Sequence, residues 1–111
     1  MNVRLIILAV LAALVVGVSA AAAATIVGTN GPDRLQGTAF ADRIDGKAGD
    51  DAIYGHAGDD ALVGGLGDDA IWAGHGRDRE SGGPGNDTLH ALADDNQLDV
   101  LDCGPATTSP T

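Results

Sequence analysis

Aromatic side chains are almost missing: one Phe, one Tyr and one Trp (Phe40, Tyr54 and Trp72) in 111 residues. A conventional globular core, which draws much of its buried area from such rings, is not expected. Basic residues are scarce as well, 6 Lys and Arg against 16 Asp and Glu, for a net charge of −10. Phosphate recognition needs a basic surface, so a nucleic-acid binder is excluded. With Arg4 of the leading segment set aside, the balance is 5 basic against 16 acidic, a net of −11. Such a chain repels itself unless something cationic joins it. A thiol occurs once, at Cys103. In a secreted chain it is a candidate for an intermolecular link, although a quiet place near the end of the fold is the simpler expectation. Nucleophile and metalloprotease signatures are missing too. Beyond the leader the serines are Ser81 and Ser109, and the histidines, His56, His75 and His90, form no H-E-x-x-H. These histidines read as solvated side chains, and no enzyme is expected.

Long apolar runs are limited to one, Leu5–Val18. That is short of the ~20 residues a spanning helix needs. It follows a weakly basic start at Arg4 and precedes Val18-Ser19-Ala20 and Ala22-Ala23-Ala24, both with small residues where signal peptidase requires them. Residues 1–24 therefore read as a cleaved secretory signal. The mature protein is expected to be secreted and extracellular, with no membrane association after cleavage.

What the chain has in abundance is Gly, 17 residues, and it is arranged. From Gly28 the sequence divides without a gap into nonapeptides: GTNGPDRLQ, GTAFADRID, GKAGDDAIY, GHAGDDALV, GGLGDDAIW, AGHGRDRES and GGPGNDTLH. Position one is Gly except at Ala73, and position four is Gly except at Phe40. Position six is Asp throughout: Asp33, Asp42, Asp51, Asp60, Asp69, Asp78 and Asp87. Position eight is Leu35, Ile44, Ile53, Leu62, Ile71 and Leu89, with Glu80 breaking the series. A poorer copy follows at 91–99, with Asn96 and Leu98 in the roles of positions six and eight. Fixed self-similarity of this kind is the mark of a repeat architecture. The pairs Asp50-Asp51, Asp59-Asp60 and Asp68-Asp69 look like acid–base dyads, but repetition in register favours an ion ligand with a solvated neighbour.

Other glycine-rich readings fail on spacing. Collagen needs Gly at every third residue, and an EF-hand loop needs D-x-[DN]-x-[DN]-G followed by a Glu. A disordered Gly/Asp linker has no reason to place an apolar residue every nine, although the chain is expected to behave as one without a divalent ion. The columns predict tight turns with φ > 0 at the glycines of positions one and four. Three extended residues follow each turn, with position eight facing inward and positions seven and nine outward. Two repeats complete one winding. Odd and even repeats then form two stacked parallel sheets, an all-β roll over 28–90. Residues 91–104 are a degenerate repeat and capping strand, since solenoid ends need caps, and 105–111 a disordered tail.

The pattern resembles G-G-x-G-x-D-x-U-x, the repeat-in-toxin (RTX) or haemolysin-type calcium-binding repeat. That resemblance implies a parallel β-roll with Ca²⁺ between stacked turns, held by the seven position-six Asp carboxylates and by backbone carbonyls. Hard oxygen ligands suit calcium. One side stacks Asp33, Asp51, Asp69 and Asp87, and the other Asp42, Asp60 and Asp78, giving three gaps and two. Up to five ions would bring the net charge close to zero. Phe40 and Pro32 lead us to expect poorer turns in the first two repeats, and an inward Glu80 requires protonation or a partner, Arg77 or Arg79. The functional expectation is a secreted calcium-binding roll whose folding is coupled to Ca²⁺. An alternative is an adhesion or glycan-binding surface protein that uses the roll as a spacer, suggested by the outward column Gln36, Tyr54, Trp72 and His90. A third is a detached piece of a larger exoprotein. No protein or glycan partner is legible.

Overall fold

Three extended residues after each turn are enough to build the whole molecule. The computed structural model describes residues 15–16, 22–91 and 98–105. Among them every regular element is a strand: β1 Val15–Val16, β2 Thr25–Val27, β3 Arg34–Gln36, β4 Arg43–Asp45, β5 Ala52–Tyr54, β6 Ala61–Val63, β7 Ala70–Gly74, β8 Arg79–Ser81, β9 Thr88–Ala91 and β10 Val100–Asp102. They alternate between two parallel sheets, β1-β3-β5-β7-β9 and β10-β8-β6-β4-β2. Like positions pair across two nonapeptides, as in Leu35↔Ile53↔Ile71 and Ile44↔Leu62↔Glu80. The expected all-β, two-sheet parallel roll is thus the observed fold.

The period-two pattern of a strand turns one residue in three inward. Leu35, Ile44, Ile53, Leu62 and Ile71 are completely or almost completely buried, and the half-buried Leu89 packs against them. Backbone bonds continue the ladder beyond the strands. The carbonyls of the position-six aspartates from Asp33 to Asp78 accept the first N–H of the strand stacked on them, as in Ala52 to Asp33 and Ala70 to Asp51, at 2.8–2.9 Å.

The roll extends further toward the N-terminus than the glycine columns reach. Thr25–Val27 pairs with Arg43–Asp45, and Ile26 joins the core at 2% exposure. Ala24 stands in the position-six place of that winding. β1, inside the apolar leader, pairs with the outer edge of β3; the rest of residues 1–21 lies outside the described residues.

Two expectations need correction. Left-handed backbone occurs at positions two and four, not one and four: Gly65 and Gly67, Gly74 and Gly76, Gly83 and Gly85 all have positive φ. Position one is glycine for space. A Cβ on Gly37 would lie 2.6 Å from Oδ2 of Asp42 in the same turn and 2.7 Å from the carbonyl oxygen of Gly55 in the next. The one exception, the buried Ala73, sits at a β-bulge between Trp72 and Gly74.

The last copy is also displaced. Val100–Asp102 pairs with Arg79–Ser81, so Leu101, not Leu98, lies opposite Glu80. The chain between these strands is longer than two nonapeptides, and the insertion moves Asp99 into the position-six place. Leu98 is 80% exposed. Asn96 and the tail 106–111 fall outside the described residues.

Candidate metal centre

The aspartate columns are built into the turns. Asp33, Asp42, Asp51, Asp60, Asp69 and Asp78 are all at most 5% exposed, and Asp87 is half-buried. Stacking one winding apart places Asp33, Asp51, Asp69 and Asp87 along one side and Asp42, Asp60 and Asp78 along the other, with Asp99 continuing the second column. From Asp51 onward each Oδ1 accepts the backbone N–H of the aspartate one winding earlier. The distances are 2.9 Å for Asp33 to Asp51, 2.8 Å for Asp42 to Asp60, and 3.0 Å for Asp78 to Asp99. Ala24, which lacks a carboxylate, still donates to Asp42 at 2.7 Å. Asp99 is the member that sequence reasoning missed. Only the insertion hid it, because nine-residue counting puts Asn96 in its place.

The second carboxylate oxygen divides the turns into two kinds. In Asp33 and Asp42 it is occupied from within the turn, by the N–H of Thr29 and of Thr38 at 2.5 Å. In Asp51, Asp60, Asp69 and Asp87, Oδ2 is shielded from solvent and has no hydrogen-bond partner among the described residues. A buried, unpartnered anionic oxygen is costly. Burial accordingly pushes the carboxyls of Asp51 and Asp60 up to about 7 and that of Asp69 to about 6, from 3.8, and neighbouring aspartates in the column add to the rise. Asp87 is raised by burial first and then by the charge of Asp68 at position five.

No cluster of three or more His, Cys, Asp or Glu side chains gathers at one point among the described residues. Each turn supplies one buried position-six carboxylate, and backbone carbonyls are the further oxygen donors close by. The left-handed turns present them: the carbonyls of Lys47 and Gly49 face Gly65 and Gly67 of the next winding, and those of His56 and Gly58 face Gly74 and Gly76. Those of Lys47 and His56 accept one N–H each, from Leu66 and His75, and a carbonyl oxygen has a second lone pair. Carboxylate and carbonyl oxygens are the donor set of a hard divalent cation such as Ca²⁺. The orphaned Oδ2 atoms are where its positive charge fits.

A second acidic ladder runs at position five, where a merely solvated neighbour was expected. Oδ1 of Asp50 accepts the N–H of Asp68, Asp68 that of Asn86, and Asp59 that of Arg77, at 2.8–2.9 Å. These residues are exposed and reach forward along the stack, whereas the position-six carboxylates reach back.

Glu80 points inward, as its position requires, and is 2% exposed. Arg77 and Arg79 are exposed, and neither oxygen of Glu80 has a hydrogen-bond partner among the described residues, so the expected ion pair does not form. Protonation is the remaining solution: burial first, then Asp99 and Asp78, push its carboxyl up to about 7.

The outward column forms as expected on the first sheet. Tyr54 stacks on Trp72 at 4.7 Å and Trp72 on the His90 ring at 4.9 Å, each 6° from parallel, with the Arg34 guanidinium 5.1 Å from the Tyr54 ring centre. The ring faces are turned to one another. A sugar docks on a ring face, so the feature that suggested glycan binding is used here to pack the sheet. His56 and His75 are exposed in turns, and Cys103 is free and exposed.

Comparison with curated proteins gives no match, and comparison with solved structures gives none either. The family model described as the RTX calcium-binding nonapeptide repeat (4 copies) matches residues 27–62, 54–89 and 76–101, which together take in every position-six aspartate and Asp99. With its glycine turns, aspartate columns and parallel two-sheet roll, the chain belongs to the RTX calcium-binding nonapeptide repeat family.

Proposed function

We propose that this protein is a secreted calcium-binding β-roll whose folding is coupled to Ca²⁺, with the carboxylates of Asp51, Asp60, Asp69, Asp78 and Asp87 as ligands. The observation that carries the reading is the buried Oδ2 atoms of Asp51, Asp60, Asp69 and Asp87, which sit in left-handed turns without a hydrogen-bond partner among the described residues. Bound calcium supplies the positive charge that lets these carboxylates remain ionised and buried. The protein's own contribution is positional. Oδ1 is held by a backbone N–H of the preceding winding, which fixes the carboxylate and aims Oδ2 into its own turn. The roll buries only a narrow Leu/Ile ladder, a small core against the cost of ordering so many residues. Binding to the folded form alone adds directly to its stability. Midpoints of ~0.1–1 mM, in the range of extracellular modules, are expected.

Export is read from residues 1–24, whose short apolar run and small-residue ends suit signal cleavage. Removing that segment also removes β1 and leaves the edge of β3 open.

Circular dichroism of the secreted product, titrated with calcium from a chelated start, is the test of coupling. The calcium-free chain should look unfolded and gain β-signal cooperatively. A chain fully folded in excess chelator would falsify the coupling, and intact-mass measurement would show whether the leader has been removed.

A further inference from the structure

The seven aspartates are alike in sequence but not in surroundings. Thr29 and Thr38 occupy position two of the first two nonapeptides. Each does three things. Its N–H donates to Oδ2 of the aspartate four residues on, at 2.5 Å. Its hydroxyl donates to the same carboxylate, with Oδ1 at 2.9 Å and Oδ2 at 3.0–3.1 Å. That hydroxyl also accepts the position-four N–H, from Gly31 at 3.1 Å and from Phe40 at 3.0 Å. Both oxygens of Asp33 and Asp42 are thereby satisfied inside their own turns.

The backbone agrees. No residue of these two turns has positive φ, whereas positions two and four of the following five nonapeptides all do. Lys47 and His56 keep the left-handed form at φ 74° and 77° although neither is glycine. A strained conformation retained outside glycine points to a functional demand on the turn. A β-branched threonine is poorly suited to that region, and its hydroxyl provides a different closure.

We infer that Thr29 and Thr38 close the first two turns in place of a cation, confining the calcium sites to gaps between left-handed turns: Asp51/Asp69, Asp69/Asp87 and Asp60/Asp78. The inference rests on the calcium reading above and narrows it. The gaps Asp33/Asp51 and Asp42/Asp60 each have one wall already saturated by hydrogen bonds. A cation entering there must first displace a threonine amide and hydroxyl from a carboxylate. The first two turns act as a pre-closed end on which the calcium-dependent turns stack. Phe40 is tolerated at position four for the same reason, since in this turn position four needs no left-handed backbone.

Native mass spectrometry of the secreted protein in calcium counts bound ions directly, and titration calorimetry gives the calcium midpoint. Asp69→Asn is expected to lose ions and raise the midpoint several-fold. Asp42→Asn is expected to lower thermal stability while leaving the ion count unchanged. Thr38→Gly, which restores the family residue, removes the hydroxyl from the Asp42 carboxylate and lets the turn take the left-handed form that turns its amide away, is expected to add an ion. Loss of an ion in Asp42→Asn, or an unchanged count in a folded Thr38→Gly variant, overturns the assignment. If Asp42→Asn does not fold, the Thr38→Gly count decides. Wild-type protein that binds no calcium sinks the proposed function itself, an outcome distinct from either of these.

Discussion

At the residue scale, Glu80 is the clearest local conflict between sequence pattern and environment. It occupies the inward place, opposite Leu62 on one side and Leu101 on the other, with both oxygens buried and without a hydrogen-bond partner among the described residues. Replacing it with Leu completes the ladder and should stabilise the calcium-bound form by about 1–3 kcal/mol, the range for burying such a side chain. The gain should depend on pH in a defined direction. The carboxyl is raised from 4.5 to about 7 in the folded state, so the native form holds a proton that the unfolded chain releases. Glu80 therefore costs little below its unfolded value. Its penalty grows as pH rises from there and levels off above about 7. Thermal melts of wild type and Glu80→Leu at pH 5.5 and pH 8 should show the larger difference at pH 8. An equal difference at both would mean that Glu80 stays charged against a partner.

At the element scale, strand register is written on the outer face of the first sheet. Tyr54, Trp72 and His90 meet ring to ring only if β5, β7 and β9 pair as observed. Aromatic pairs contribute ~0.5–1.5 kcal/mol each beyond area burial. Trp72 makes two such contacts, so Trp72→Ala should lower the stability of the calcium-bound roll by about 1–3 kcal/mol. Tyr54→Ala, which breaks one of the two and the Arg34 contact, should cost less. Denaturant melts in saturating calcium would measure both, and equal losses would show that the stack is not additive along the column. Trp72 is also the only tryptophan, so its emission should follow the calcium transition seen by circular dichroism. Much of this element-level order was legible from nine-residue spacing, because period alone sets which residues stack. The inward ladder from Leu35 to Leu89, the odd–even division into two sheets and the aromatic column all follow from it. The misses have local causes. Thr25–Val27 was hidden because its winding has Ala24 where the others have Asp, leaving only Ile26 as a signal. Asp99 was displaced by an insertion that a fixed period cannot register. The role of Thr29 and Thr38 depends on hydroxyl geometry, and position two of these nonapeptides varies among Thr, Lys, His and Gly, so it carries no column of its own. Glycine at position one suggests backbone freedom in the sequence, whereas the pressure on it comes from the facing carboxylate and carbonyl.

At the scale of the whole molecule, protons compete with calcium for the carboxylates of the folded roll. In the calcium-free roll Asp51 and Asp60 lie near 7 and Asp69 near 6, against 3.8 for a free side chain. Between about 4 and 7 the folded form binds more protons than the unfolded chain, so the stability of the calcium-free roll falls as pH rises through that window. Protons do part of what calcium does: they remove negative charge from the columns. The calcium-free chain should therefore gain β-signal when acidified from pH 8 to pH 5.5, above the region of its isoelectric point of about 4.2, where association would intrude. Calcium binding should run the other way. A proton on an aspartate must leave before the carboxylate can act as a ligand, so the calcium midpoint should rise as pH falls. Two titrations by circular dichroism, calcium at fixed pH and pH in chelator, measure both arms. Asp51→Asn with Asp69→Asn supplies the control: neutral side chains in two buried places should flatten the acid-induced gain and weaken calcium binding together. Acid folding that persists undiminished in this double variant would place the titrating groups elsewhere, and the coupling of columns to folding would fail with it.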